Sequence, residues 1–118
     1  RKKHYEAYAQ LIGVLSGISI MPISGEGIPN YWLSCIIIDV MQSKVSRDEL
    51  ISICHEASIE VRPTWKPLHM QKVFREKQMF GGCVSESLFN NGLCLPSGSN
   101  LSDKDREKVI STLSSALE

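Results

Sequence analysis

Residues 62 to 69 bring together side chains that suit a flat, negatively charged ligand. Trp65 offers a broad stacking face, Arg62 and Lys66 offer positively charged donors, and His69 can donate, accept or titrate. Two prolines within the segment fix their own φ at about −65° and push the preceding residues toward extended geometry, so a stiff loop is expected. The residue types alone leave two alternatives of equal weight. The loop is either a binding site for an anionic ligand with a ring, or a surface loop whose tryptophan fills a small core.

The usual catalytic signatures do not occur in the sequence. There is no Walker loop, no G-x-G-x-x-G, no G-x-S-x-G and no H-E-x-x-H. Cys54 and His55 are neighbours on a predicted helix, which separates their side chains by about 100° and argues against a nucleophilic dyad. Lys66 could form a Schiff base only beside an acid and a phosphate cup, and neither is evident. We therefore predict no catalytic residue in this chain and interpret Lys66 as a ligand contact.

Charge and cysteine content narrow the class of protein further. Thirteen basic and thirteen acidic residues give no net charge, which disfavours binding to nucleic acid or an anionic membrane. Arg1 to His4 form the only basic cluster, interpreted as a solvated first turn of a helix, with His4 and His55 on helix surfaces. No pair among the cysteines, at positions 35, 54, 83 and 94, has C-x-x-C spacing, so no metal site is predicted. Free, mostly buried thiols in a reducing cytoplasm are expected, and no apolar run is long enough to span a bilayer.

Three helices are expected from apolar periodicity and capping residues. The first covers Lys3 to Leu15, has no N-cap and is stopped by Gly17, which suggests that it continues upstream of Arg1. The second follows the capping box that begins at Ser46, and the third follows Ser102. A shorter fourth helix is predicted from Val84 to Asn90, ended by Asn91 and Gly92 because these residues tolerate positive φ. Residues 70 to 78 could be a short helix or a loop.

The strand patterns predict a small sheet. Ile18 to Ile23 contains a proline and is expected at an edge, whereas Asn30 to Asp39 ends in three isoleucines and is expected in the middle with both faces covered. Ile59 to Arg62 alternates and leads into the 62–69 loop, and Leu93 to Leu95 is a brief strand. We predict one α+β domain over residues 1–118, with an antiparallel or mixed sheet of three to four strands and helices packed on one face.

Several blocks of the sequence resemble, in order, a known enzyme family. They are Asn30-Tyr31-Trp32, Arg47 to Leu50, Ile59 to His69, Val84 to Phe89, and Gly92 to Gly98. Together these blocks resemble the C-terminal part of the DegT/DnrJ/StrS family of pyridoxal-phosphate-dependent nucleotide-sugar aminotransferases, which have the type I aspartate-aminotransferase fold. The resemblance covers nearly the whole chain, and it is greatest to the branch that aminates UDP-linked 4-keto-6-deoxy sugars for bacterial surface glycans.

The resemblance implies a role for the chain as part of a larger enzyme. Residues 1–118 would be the small C-terminal domain, entered by an interdomain helix that ends within residues 1–16, while the N-terminal domain would hold pyridoxal phosphate. Trp65, Lys66 and His69 would lie beside the nucleotide sugar, and Arg62 and Trp32 would serve the substrate, the packing or the dimer. The full-length protein would be a homodimer that uses an amino-acid donor, with glutamate expected.

Two other classes of function remain open at this point. The chain could be an independent module that binds a nucleotide sugar without catalysis, or chiefly a dimerisation element. If it is instead a domain of the enzyme, it should be inactive alone and bind no pyridoxal phosphate of its own.

Overall fold

The computed structural model describes all 118 residues and consists of four helices and a four-stranded antiparallel sheet. The helices are α1 (Lys2–Ile12), α2 (Arg47–Glu56), α3 (Val84–Asn91) and α4 (Asp103–Leu117). The strands are β1 (Ile18–Ile20), β2 (Ser34–Ile38), β3 (Arg62–Pro63) and β4 (Gly92–Leu95), in the order β1-β2-β4-β3. The predicted α+β class is confirmed. Residues 70 to 78, which the sequence left open, contain the short 3-10 helix Lys72–Phe74, and another 3-10 helix, Leu68–Met70, ends at the first of these residues.

Strand β2 occupies the interior position that its isoleucines predict, but it is shorter than the pattern suggests. Only Ser34–Ile38 pairs, because Tyr31 adopts a left-handed φ of 52° that breaks the extended run from Asn30. The burial of its side chains alternates, with Ile36 and Ile38 fully buried and Cys35 and Ile37 only half-buried. The second face of this strand is therefore only partly covered, whereas the isoleucine run predicts that both faces are covered.

The core lies on one face of the sheet, under three of the four helices. Its side chains come from the strands and from α1, α2 and α4, and include Tyr8, Ile36, Leu50, Leu93 and Leu113, all with no exposed surface. The hydroxyl of Tyr8 donates to the carbonyl oxygen of Pro96 at 2.8 Å, so α1 is tied to the segment that follows β4. None of the helices is both long and apolar enough to cross a lipid bilayer.

Both predicted helix caps are present. The hydroxyl of Ser46 accepts from the backbone N–H of Glu49, whose carboxylate in turn accepts from the backbone N–H of Ser46, completing the capping box of α2. Ser102 accepts from the backbone N–H of Asp105 at the start of α4. Helix α1 ends at Ile12, three residues before the predicted end at Leu15.

The two outer strands are also shorter than predicted. β1 is an edge strand, as its proline indicates, but it ends at Ile20. The predicted strand from Ile59 to Arg62 pairs only at Arg62–Pro63. The reason is that the backbone N–H of Ile59 donates to the carbonyl oxygen of Cys54, 2.8 Å away, at the end of α2. The side chains of Ile59 and Val61 enter the core without joining the sheet.

His4 is buried, contrary to the expectation that it lies on a helix surface. The first turn of α1 packs beside the start of α4, where the ammonium group of Lys3 lies 2.8 Å from the Asp103 carboxylate. Arg106, also buried, donates to the same carboxylate at 2.6 Å. Burial, followed by the positive charges of the N-terminus and Arg106, lowers the pKa of His4. Hydrogen bonds from Lys3 and Arg106 lower the pKa of Asp103 to about 2.

Gly92 joins α3 directly to β4 in extended geometry, with φ of −94°. The sequence-based explanation, that this glycine ends the helix through positive φ, is therefore wrong. A Cβ atom at this position would lie 2.3 Å from the carbonyl oxygen of Leu88 and 2.5 Å from the hydroxyl of Thr64. Gly92 and Cys94 share one side of β4, the side that faces away from the core. Helix α3 therefore approaches the sheet from that face, whereas the other three helices pack on the core face.

Replacing Gly92 with alanine should therefore destabilise the fold. We expect Gly92→Ala to lower the free energy of unfolding by about 2–3 kcal/mol, because the backbone of Leu88 must move to admit a methyl group. Gly25→Ala is the matched control: a Cβ there meets nothing within 4 Å, so a change within about 0.5 kcal/mol is expected. Urea unfolding followed by far-UV circular dichroism measures both. Equal effects of the two substitutions would contradict the close approach at Gly92.

Candidate functional site

A cavity of about 950 Å³ lies beside β3 and β4, under the 62–69 loop. Its walls come from residues 58–60 and 62–66, from the end of β4 and the turn after it, and from the first two turns of α4. Of the residues singled out in the sequence, Trp32, Arg62, Trp65 and Lys66 line this cavity, whereas His69 does not. The fold thus brings Trp32 to the same cavity as three residues of the 62–69 loop.

The two tryptophans of the chain form a pair at the cavity. Their ring centroids are 5.7 Å apart, with the ring planes inclined by 40°. Trp32 is 58% exposed and Trp65 is 62% exposed, so neither indole is packed in the core. This rules out the alternative in which Trp65 fills a small core. Large, exposed aromatic faces beside a cavity are suited to stacking on a ring of a ligand.

The position of Trp32 depends on a turn held by the start of α1. The side-chain oxygen of Asn30 accepts from the backbone N–H of Trp32 at 3.0 Å, and the guanidinium group of Arg1 donates to the carbonyl oxygen of Trp32 at 2.6 Å. Tyr31, between them, has positive φ and lies with its ring 5.3 Å from that of Tyr5. Left-handed geometry costs an ordinary residue about 1–2 kcal/mol, which these neighbouring contacts offset.

The position of Trp65 depends on Thr64. This threonine is buried; its backbone N–H donates to the carbonyl oxygen of Gly92 at 3.1 Å, and its hydroxyl donates to the carbonyl oxygen of Leu88 at 2.6 Å. Both bonds come from the residue immediately before the indole. The loop is therefore anchored to the junction of α3 and β4, and the following side chains project from a fixed base.

Of the positively charged side chains at the cavity, one forms an ion pair with a carboxylate and two do not. Arg62 donates to the carboxylate of Glu60 at 2.9 Å and 2.5 Å, in an exposed pair of the kind that contributes little to stability. Lys66 is exposed and forms no ion pair. Lys108 on α4 lines the same cavity and is likewise unpaired. Lys66 and Lys108 are thus free to bind an anionic group.

His69 belongs to a different contact. Its Nε2 atom lies 2.8 Å from Oε1 of Glu86 on α3, and its side chain is only 23% exposed. It lies in the first 3-10 helix and its ring contacts α3, so it ties the end of the loop to that helix and does not line the cavity. The expectation that His69 contacts a ligand directly has no support from its position in this chain.

Sequence reasoning missed the contribution of α4. Asp105 and Lys108 line the cavity, and Asp105 also accepts from the hydroxyl of Ser102 at 2.6 Å. In the sequence they are two of many charged residues on an amphipathic helix. Lys108 precedes the buried Val109, which places it at the border of the buried stripe, but nothing in the sequence says that this border faces the 62–69 loop.

Comparisons with known proteins agree with one another. The DegT/DnrJ/EryC1/StrS aminotransferase family model matches residues 1–114. EpsN of Bacillus subtilis (strain 168), named for a proposed pyridoxal phosphate-dependent aminotransferase activity, is 35% identical over 117 residues. That match covers 96% of this chain and 29% of EpsN. The chain thus spans less than a third of the length of this relative.

Solved structures show the same fold over a similar share of their length. TlmJ, an aminotransferase from Streptoalloteichus hindustanus, superposes with a TM-score of 0.83 at 21% identity, covering 98% of this chain and 30% of TlmJ. DesI, solved in the presence of its TDP-sugar product, gives a TM-score of 0.84 at 21% identity, covering 96% of this chain and 29% of DesI. At this level of identity the likeness establishes the fold.

The exposed position of the tryptophan pair can be tested through stability. We expect Trp65→Ala and Trp32→Ala each to lower the free energy of unfolding by no more than about 1.5 kcal/mol, the usual contribution of an aromatic pair beyond burial. Removal of a core tryptophan would cost about 3–5 kcal/mol. Urea unfolding monitored by far-UV circular dichroism separates the two cases. A fall of about 3–5 kcal/mol in the free energy of unfolding for Trp65→Ala would instead show that Trp65 fills a small core.

Proposed function

The chain belongs to the DegT/DnrJ/EryC1/StrS aminotransferase family, and we propose that it is the small C-terminal domain of an enzyme that transfers an amino group from glutamate to a keto sugar nucleotide. The observation that carries this proposal is the cavity bordered by Trp32, Trp65 and Lys66. Residues 1–16, which contain α1, would be the end of a helix that enters from the preceding domain.

The chemistry of the cavity suits a nucleotide sugar. A nucleotide carries a flat base, which can stack on an indole, and a diphosphate, which attracts cations. The tryptophan pair lies at the cavity with Lys66 and Lys108, neither of which forms an ion pair. We propose that Trp65 and Lys66 contact the nucleotide, with Trp32 beside them, and that Arg62 contributes if it releases Glu60.

The cofactor of the family, pyridoxal phosphate, does not fit the residues of this chain on their own. A Schiff-base lysine is desolvated or lies beside another cation, whereas Lys66 is exposed at the edge of the cavity. The two carboxylates at the cavity are already bonded, Glu60 to Arg62 and Asp105 to Ser102. We assign no cofactor-holding residue here and propose that the rest of the enzyme holds pyridoxal phosphate.

The substrate is proposed in more detail as a UDP-linked 4-keto-6-deoxy sugar, used in bacterial surface-polysaccharide synthesis in the cytoplasm by a homodimeric enzyme. The structure of DesI was solved with a TDP-sugar product, so a TDP-linked sugar is the natural competitor in any assay. The base of either nucleotide has a face that can stack on Trp65. Discrimination between the two would have to come from groups outside the indole pair.

The proposal is tested in the enzyme obtained by extending the reading frame upstream of Arg1. With glutamate and a UDP-4-keto-6-deoxy sugar, Lys66→Met should raise KM for the sugar nucleotide about tenfold, as expected for one charge-assisted contact of about 1.4 kcal/mol, and leave kcat unchanged. Lys44→Met is the matched control, because Lys44 is also exposed and does not line the cavity. Equal KM values for the two variants would contradict the assignment of Lys66.

The isolated chain distinguishes the enzyme domain from an independent binding module. Both tryptophans lie at the cavity, so their fluorescence should report nucleotide binding directly. If a second domain completes the site, titration of the 118-residue chain with UDP-sugar should give no saturable change at micromolar concentrations. Saturable binding by the chain alone, with no reading frame upstream of Arg1, would favour the non-catalytic module.

A dimerisation role is the second candidate, and it is favoured by a separate observation. Of the thirteen exposed large apolar side chains, six lie within positions 68 to 84, in the two 3-10 helices, the segment leading to α3 and the first residue of α3. Phe80 is 85% exposed and Val73 is 73% exposed. Such a concentration of exposed apolar side chains is typical of a surface that contacts another protein.

Sedimentation velocity over a range of concentrations tests this second role. If residues 68–84 mediate self-association, Val73→Ser should shift the monomer–dimer equilibrium toward the monomer. Val14→Ser is the matched control, because Val14 is 81% exposed but lies just after α1, outside this segment. A chain that stays monomeric at all concentrations, or two variants that behave alike, would contradict dimerisation through this segment.

A further inference from the structure

Two thiols face each other across the centre of the sheet. Cys35 on β2 is registered directly opposite Cys94 on β4, and their Sγ atoms are 3.6 Å apart. Both cysteines are free. The other two cysteines have different surroundings, since Cys54 is buried in the core and Cys83 is exposed before α3.

The backbone hydrogen bonds identify the kind of cross-strand pair. The carbonyl oxygen of Cys35 accepts from Met21 at 2.8 Å, so the backbone groups of Cys35 point toward β1. The carbonyl oxygen of Gly92 accepts from the backbone N–H of Thr64 at 3.1 Å, so the backbone groups of Gly92 point toward β3. Those of Cys94, two residues later, point the same way. Cys35 and Cys94 therefore form a non-hydrogen-bonded pair, in which Cα atoms are about 4.5 Å apart. That spacing falls within the range of about 4.4–6.8 Å found for disulfides.

We propose that Cys35 and Cys94 form a reversible intramolecular disulfide. Bond formation brings the sulfurs from 3.6 Å to about 2.05 Å, a movement that rotation about the side-chain torsions can supply while the strands remain paired. The inference rests on strand register and sulfur positions alone, so it does not depend on the proposed enzymatic function.

The oxidant we propose is a low-molecular-weight disulfide such as oxidised glutathione. The Cys35 thiolate attacks one glutathione sulfur, the glutathione S–S bond breaks, and one glutathione thiolate leaves. The Cys94 thiolate then attacks the Cys35 sulfur of the mixed disulfide and expels the second glutathione. Two protein thiols become one disulfide, and oxidised glutathione is reduced to two thiols, so atoms and electrons balance.

The surroundings of the two sulfurs set this order of attack. Cys35 is half-buried and therefore partly accessible, whereas only 9% of Cys94 is exposed. The hydrogen bond from the Cys94 thiol lowers the pKa of Cys35, while that same bond and burial raise the pKa of Cys94. Cys35 is thus the thiol that an external disulfide can reach, and Cys94 is the thiol that resolves the mixed disulfide.

The disulfide would act on the cavity as well as on the sheet. Cys94 lines the cavity together with Trp65 and Lys66, whereas Cys35 does not. Oxidation would draw the Cys94 sulfur toward β2 and so change the position of a residue that lines the cavity. It would also cross-link residues that are 59 positions apart, which constrains the unfolded chain strongly.

Mass spectrometry of the 118-residue chain in a Cys83→Ser background tests the proposal, because this background removes the exposed thiol. After treatment with oxidised glutathione, the mass of the chain should fall by about 2 Da, and alkylation of the unfolded chain should modify one thiol, that of Cys54. Digestion should then give a cross-linked peptide that contains Cys35 and Cys94. In the same background, Cys94→Ser should accumulate a glutathione adduct at Cys35. Cys35→Ser should form little adduct, since the remaining thiols are buried.

A second measurement keeps the proposal falsifiable if a serine variant fails to fold. The oxidised Cys83→Ser chain should unfold roughly 10 °C above its reduced form, and a reducing agent should reverse the shift. Persistence of all three thiols, a disulfide that includes Cys54, a cross-link between two chains, or a lower unfolding temperature after oxidation would each overturn the assignment.

Discussion

The close approach of three backbone segments at Gly92 is the constraint on which the candidate site depends. Helix α3 ends and β4 begins at this residue without an intervening loop, and the missing side chain leaves room for the carbonyl oxygen of Leu88 and the hydroxyl of Thr64. Thr64 can therefore bond both Leu88 and Gly92. Trp65 follows Thr64 directly, so the hydrogen bonds of Thr64 to the α3–β4 junction set the position of the indole. The loop is therefore held in place without burial of its tryptophan.

A second group of contacts completes the arrangement from the other end of the chain. Arg1 at the start of α1 bonds the carbonyl oxygen of Trp32, and Tyr5 packs against Tyr31 in its left-handed geometry. The same turn of α1 is tied to α4 through Lys3 and Asp103. Helices α1 and α4 are thus joined to each other: the start of α1 holds the turn that carries Trp32, and α4 supplies Lys108 to the cavity wall. The resulting surface has exposed aromatic faces and unpaired amines beside one cavity.

Much of the fold could be predicted from local patterns, and the errors have specific causes. Ser46 and Ser102 identified two helix starts correctly because an N-cap is a local hydrogen bond. The prediction of a strand from Ile59 to Arg62 was wrong over most of its length, because the backbone N–H of Ile59 donates to the end of α2 instead of to a neighbouring strand. Alternation of apolar and polar residues does not distinguish these two hydrogen-bond partners. His4 was wrongly placed on the surface, since its burial depends on the approach of Arg106 from α4. Of the predicted binding residues, Trp32, Arg62, Trp65 and Lys66 line one cavity, and His69 instead contacts Glu86.

The sequence by itself determined the place of the 62–69 loop, the two capped helices, the isoleucine-rich inner strand and the resemblance that family comparison supports. These features depend only on residues that are close in the sequence, because proline geometry, helix caps and side-chain alternation act over a few positions. Only the tertiary structure decided that Trp32 meets Trp65, that Cys35 faces Cys94, and that Lys108 joins the cavity. Each of these relations joins residues 33 to 59 positions apart or brings together different elements. Strand register and helix packing fix such distances, and no local pattern in the chain records them.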